Sequence, residues 1–175
     1  MFALGRRDNT SQRFEFGLQN ATNAYIGVGD SKKITTAHGM VVDTWYNWIT
    51  TFAGGSNGAL KVYRDGAEII DSTTSWTDTA GSNPIYFGCR NAGGYNNGWT
   101  CGLEEIAIFN KVKSVSTLWD GSGKPVNQTG ADDLVGYWKL NEGSGIITKD
   151  TSGNGNHGTL TTNDAELPTW STDTP

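Results

Sequence analysis

Two stretches carry residue types suited to ligand chemistry. The first is Arg90-Asn91 followed by Tyr95-Asn96-Asn97-Gly98-Trp99. Aromatic rings lie against pyranose faces while Asn and Arg bond the hydroxyls of a shallow pocket, and this loop offers that mixture. Trp76, within a Ser/Thr-rich stretch, is a second aromatic of the same kind. The competing reading packs Trp99 in the core and leaves the asparagines to make turns. The second stretch is Asp150-Thr151-Ser152-Gly153-Asn154-Gly155-Asn156. Asp150, Asn154 and Asn156 supply the hard oxygen atoms that calcium takes, without the distal bidentate Glu of an EF-hand. The same residues also suit an Asx-turn loop whose side chains cap their own backbone.

Catalysis finds less support. Glycoside hydrolysis needs two carboxylates flanking the scissile bond. Glu104-Glu105 is the nearest approach, but neighbours on a strand point to opposite faces. Glu105 is expected to bond locally and Glu104 to be solvated. His38 and His157 sit in Gly- and Asn-rich turns, read as surface positions, with no Ser or Cys nucleophile motif beside them. No phosphate-binding G-x-x-x-x-G-K-[ST] loop occurs. Cys89 and Cys101 fall on neighbouring expected strands, so a disulfide and two small buried thiols are both open readings.

The elements that position these residues read as short strands. At the centre is Leu60–Asp71, with Asp65-Gly66 as a two-residue type I′ turn. That turn pairs Arg64 with Ala67, Tyr63 with Glu68, Val62 with Ile69 and Lys61 with Ile70. Leu60, Val62, Ala67 and Ile69 then share an apolar face. Thr44–Phe52 reads as an aromatic strand, and Pro84–Gly88 and Gly102–Asn110 as two more. Upstream, Phe14, Phe16 and Leu18 alternate onto one face of Arg13–Leu18, and Ala24–Val28 is the return strand. Ala53–Gly58 reads as a loop, Asp71–Asn83 as a long connection, and Ser114–Trp119 as one helical turn capped by Ser114. A polar linker, Gly121–Gly130, leads to the strand Asp133–Leu140.

The ordered set of a Trp-led strand, the Tyr63-Arg64-Asp65-Gly66 hairpin, Ile85-Tyr86-Phe87-Gly88 and Gly102-Leu103-Glu104-Glu105-Ile106-Ala107-Ile108-Phe109-Asn110 resembles the second half of a laminin-G-like domain. Such domains belong to the concanavalin A-like lectin/glucanase superfamily. Glu104 stands where that pattern usually has Asp. The tail, Leu134-Val135-Gly136-Tyr137-Trp138 through Asn156-His157-Gly158-Thr159, resembles the opening strand and loop of the same domain, here at the other end of the chain. The resemblance suggests that similar tails also end proteins of tailed phages that carry such domains. The resemblance implies a two-sheet antiparallel jelly-roll sandwich, permuted or completed by strand exchange. It implies a non-catalytic module that recognises carbohydrate or a cell-surface glycan, with calcium a common cofactor. The alternative is a decoration, fibre or filament subunit assembling with itself or with virion proteins.

Bulk properties agree with an all-β reading. The chain has 175 residues, enough for one sizeable core, with 24 glycines for turns and 7 tryptophans that argue against disorder. The expected layout is a main sandwich over residues 1–120, a linker at 121–130 and a closing strand segment at 131–175. A net charge of −5 without a basic cluster speaks against nucleic acid. No apolar run is long enough for a membrane span, and Met1–Arg7 lacks a signal-peptide pattern although the composition suits an extracellular or virion surface.

Overall fold

The computed structural model describes residues 3–7, 13–18, 20–28, 32–76, 84–88, 101–161, 167–173 and 175. In chain order the elements are β1 (Ala3–Arg7), β2 (Arg13–Leu18), β3 (Asn23–Val28), β4 (Lys32–Ala37), β5 (Trp48–Phe52), β6 (Gly55–Arg64), β7 (Ala67–Trp76), β8 (Tyr86–Phe87), β9 (Ile106–Phe109), α1 (Val115–Leu118), β10 (Leu134–Trp138), β11 (Ile147–Thr148) and β12 (Gly158–Thr159). The fold is all-β, and every pairing among the described residues is antiparallel. It divides into two units, Met1–Thr100 and Cys101–Pro175.

In the first unit, strict alternation sets the register. Phe14, Phe16 and Leu18 of β2 stand opposite Val28, Ile26 and Ala24 of β3, so one face of the pair is wholly apolar. These strands belong to a five-stranded sheet ordered β4-β3-β2-β1-β8; a second sheet is ordered β5-β6-β7. Leu60, Val62 and Ile70 of the second sheet join Phe16, Leu18, Ala24, Ile26 and Val28 in one core, with Trp48 and Phe52 against it. The Phe16 and Trp48 rings meet at 5.1 Å, tilted by 45°. Each fully buried Leu or Val here contributes about 1.5–3 kcal/mol. The opposite face of β2 and β3 is buried as well, where the Tyr25 hydroxyl donates to Glu15 at 3.2 Å.

The central hairpin turns at Asp65 and Gly66, both with positive φ (49° and 77°), as a type I′ turn requires. Arg64 pairs with Ala67 and Tyr63 with Glu68, as the sequence indicates, but beyond them the register shifts: Val62 faces Ile70 and Lys61 faces Asp71. The bulge takes up Ile69. It sends Ile70, rather than Ala67, into the core; Ala67 is exposed and Ile69 half-buried. The shift also sets Lys61 between Glu68 (2.8 Å) and Asp71 (3.3 Å). Both strands run further than expected, since Gly58 pairs with Thr74 and Gly55 with Trp76. Backbone ladders tolerate this Gly/Ser/Thr sequence where one face is solvated. Gly58 is required there, because a Cβ would lie 2.3 Å from the Gly54 carbonyl oxygen.

The second unit is organised on β10. It pairs with β9 of the same chain, Tyr137 opposite Ala107 and Trp138 opposite Ile106. β11 and β12 form a separate two-stranded sheet. Tyr137 is fully buried and Trp138 nearly so. The Trp138 ring lies over Gly136, where a Cβ would come within 2.2 Å of it. β9 is shorter than the expected Gly102–Asn110 because Glu105 takes a left-handed φ of 55°, which ends regular strand geometry. α1 is the expected single turn after Ser114, but Ser114 makes no side-chain capping bond. Its hydroxyl meets that of Ser116 at 2.9 Å instead.

Candidate ligand-binding site

The aromatic loop proposed for sugar recognition, with Arg90, Asn91, Tyr95, Asn96, Asn97 and Trp99, lies outside the described residues, as does Cys89. Trp76 is placed at the last position of β7, opposite Gly55, rather than on a loose connection. Its side chain lies outside the described part.

A polar cluster that sequence reasoning missed forms at the turn end of the central hairpin. Trp48 is the registered partner of Arg64, which brings Tyr46, Asn47 and Asp65 to the same end. Asn47 and Asp65 exchange two hydrogen bonds: the Asn47 N–H donates to Asp65 Oδ1 at 2.9 Å, and the Asp65 N–H donates to the Asn47 carbonyl at 2.9 Å. The Arg64 guanidinium sits 5.5 Å from the centre of the Tyr46 ring, a cation–π arrangement. Arg64 Nη1 donates to the His38 carbonyl oxygen. The approach is possible because residue 39 is glycine: its φ is 59°, and a Cβ would fall 2.5 Å from Arg64 Nη1. The Val41 N–H donates to the Tyr46 hydroxyl at 3.0 Å, fixing the ring.

His38 is not a surface residue. It is 4 % exposed, its N–H donates to the Thr22 carbonyl at 2.9 Å, and its ring Nδ1 accepts the Met40 N–H at 2.9 Å. The Gly-bounded sequence around it suggested a solvated turn. Instead, local bonds to Nδ1 and the carbonyl fold the turn over the ring. The cluster thus presents half-buried Tyr46 beside a fixed guanidinium, with the exposed Asp65 carboxylate bonded to Asn47. Such groups bind polar, hydroxyl-rich ligands through stacking and directed hydrogen bonds.

In the second unit the Asp150–Asn156 loop acts on the edge of β10. Asp150 Oδ1 accepts the N–H groups of Tyr137 (2.9 Å) and Ser152 (2.9 Å), and Oδ2 accepts that of Asn156 (2.8 Å). Asn154 Nδ2 donates to the carbonyls of Leu134 (2.8 Å) and Val135 (3.1 Å), and Asn156 Nδ2 to Val135 (2.8 Å). The Trp138 indole N–H donates to the Asn156 carbonyl at 2.7 Å, and His157 Nδ1 accepts the Asp150 N–H at 3.1 Å. The loop therefore does for one edge of β10 what a neighbouring strand would do, with one backbone bridge between Trp138 and Asp150 and otherwise mostly side chains. Burial alone would raise the Asp150 pKa; the bonds it accepts from Ser152, Tyr137 and Asn156 outweigh that and hold it at about 2. As a calcium donor set the loop offers one carboxylate, and both of its oxygens already accept backbone N–H groups. Among the described residues no group of three or more His, Cys, Asp or Glu side chains is placed to hold a metal ion.

Glu104 and Glu105 do not behave as alternating strand neighbours. The left-handed backbone at Glu105 aims its carboxylate at the Tyr137 hydroxyl, which donates to it from 32 positions along the chain, a long-range bond in place of the expected local one. Glu104 is half-buried rather than freely solvated, and its Oε2 is enclosed without a hydrogen-bond partner. Burial first, and the neighbouring Glu105 charge second, push its pKa up. Burial and the Glu105 bond likewise raise that of Tyr137.

Antiparallel sheets sharing one apolar core, with polar and aromatic groups gathered at a hairpin end, define an all-β module of sandwich type. The laminin-G family model of the concanavalin A-like lectin/glucanases superfamily matches residues 1–118, and the chain belongs to that family. No curated protein and no solved structure matches it. Domains of this superfamily are commonly non-catalytic, carbohydrate-binding and often extracellular. No helix among the described residues is long and apolar enough to cross a membrane.

Proposed function

We propose that the protein is a non-catalytic binding module that recognises carbohydrate on an extracellular surface. The observation that carries this reading is the hairpin-end cluster, where Tyr46 lies beside Arg64, with Asn47 and Asp65 bonded to each other, in a chain of the laminin-G family. The loop with Arg90, Asn91, Tyr95, Asn96, Asn97 and Trp99, and Trp76 beyond it, belongs to the same proposal as a second set of contacts. The chemistry needs no metal: ring stacking supplies apolar contact, and the guanidinium and carboxylate supply direction.

Glycan-array binding by the full chain, followed by titration of the best glycan against Tyr46→Ala and Tyr95→Ala, tests the reading. Each substitution is expected to weaken binding about tenfold, corresponding to ~1.4 kcal/mol. A chain that binds no glycan, or turns over a polysaccharide, contradicts it.

A further inference from the structure

The charge class of the sugar depends on what the Arg64 guanidinium still offers. A guanidinium grips a carboxylate, sulfate or phosphate through two parallel N–H bonds, from either its Nη1/Nη2 edge or its Nε/Nη2 edge. At Arg64 neither edge is whole. Nη1 donates to the His38 carbonyl oxygen. Nε is buried, with Asp65 Oδ2 as a charged neighbour at 3.8 Å. The guanidinium carbon lies 5.5 Å from the centre of the Tyr46 ring, so one face of the group is against an aromatic surface.

The charge is matched as well. The Asp65 carboxylate is fixed next to the guanidinium by the Asn47 N–H at 2.9 Å, and the pair is neutral as a unit. An incoming anion meets that carboxylate, on a chain with a net charge of −5. What remains is a donor group beside an acceptor group, with the Arg64 and Asp65 side chains 26 % and 36 % exposed. Sugar hydroxyls both accept and donate, so neutral sugars suit both kinds of group, whereas sulfate and carboxylate only accept.

Given the carbohydrate reading, on which this rests, we infer that the hairpin-end site selects uncharged sugars and discriminates against sialylated, uronic-acid-containing and sulfated ones. Gly39 is the positioning residue for that choice. With a φ of 59° and no side chain it lets Nη1 reach the His38 carbonyl, since a Cβ there would fall 2.5 Å from Nη1. Filling that space pushes the guanidinium off the carbonyl and frees its Nη1/Nη2 edge for an anion. Asp65 is the specificity-determining residue, because its charge is the one an acidic sugar meets.

The test screens the full chain on an array carrying each neutral oligosaccharide beside its sialylated and sulfated forms, at low and at high salt. Neutral forms are expected to bind about tenfold or more tighter than their acidic counterparts, and salt should leave that binding unchanged. Asp65→Asn keeps a residue that tolerates the left-handed turn position, and Gly39→Ala is the independent variant. Each should narrow the preference by about tenfold and give acidic glycans a binding that weakens with salt. A wild-type chain that prefers acidic glycans, with affinity falling as salt rises, overturns the inference and leaves the carbohydrate reading standing. Variants that both keep the wild-type preference also overturn it. A chain that binds no glycan overturns this inference and the carbohydrate reading together.

Discussion

The two units keep their strands in place by different physics. In Met1–Thr100, residues of two sheets interlock: Phe16, Leu18 and Ile26 on one side, Leu60, Val62 and Ile70 on the other. In Cys101–Pro175, the described strands are short and the central one, β10, is held along one edge by β9 and along the other by the 150–156 loop, chiefly through its side chains. The first arrangement is non-directional and depends on volume. The second is directional and depends on the charge state of one carboxylate. The same secondary structure is thus exposed to different threats: cavities in one unit, protons in the other.

The comparison can be broken from either side. Leu60 is fully buried, so Leu60→Ala should cost the first unit about 2–5 kcal/mol, measured by urea denaturation of the full chain. A cost below ~1 kcal/mol would mean the two sheets do not share a packed core. Asp150→Asn is nearly isosteric but sets an amide NH2 group against N–H donors that the carboxylate now accepts. It should cost the second unit about 1.5–3 kcal/mol, followed through Trp138 fluorescence. An unchanged transition would show that the loop does not hold β10.

Much of the first unit was legible because its residues alternate. Phe14, Phe16 and Leu18 fix the face and register of β2, and Asp65-Gly66 fixes the hairpin turn. The bulge at Ile69 was not legible: two adjacent isoleucines leave open which one enters the core, and the choice depends on the facing sheet. Composition also misled at residues 55–58 and 71–76, where Gly, Ser and Thr suggested loops and the strands β6 and β7 extend instead. The hairpin-end cluster was hidden for a related reason. His38, Asn47 and Arg64 are far apart in sequence, and only strand register joins them; the one local signal was the Gly39 that lets Arg64 approach. In the tail, the Asx-turn reading describes the observed bonds of Asp150, and the residues that suit calcium are those that latch the edge.

The most direct test follows backbone amide exchange across both units as the pH falls. The folded Asp150 pKa, about 2, lies below the ordinary aspartate value. The stabilisation it provides is therefore complete above roughly pH 5 and drains away as the pH drops from there towards 2. The amides of Tyr137, Ser152 and Asn156 should lose protection in that interval while those of Phe16 and Leu60 keep theirs, and millimolar calcium at neutral pH should change neither set. Simultaneous loss in both units, or a gain in protection of the tail amides on adding calcium, would contradict a tail held by its own hydrogen bonds.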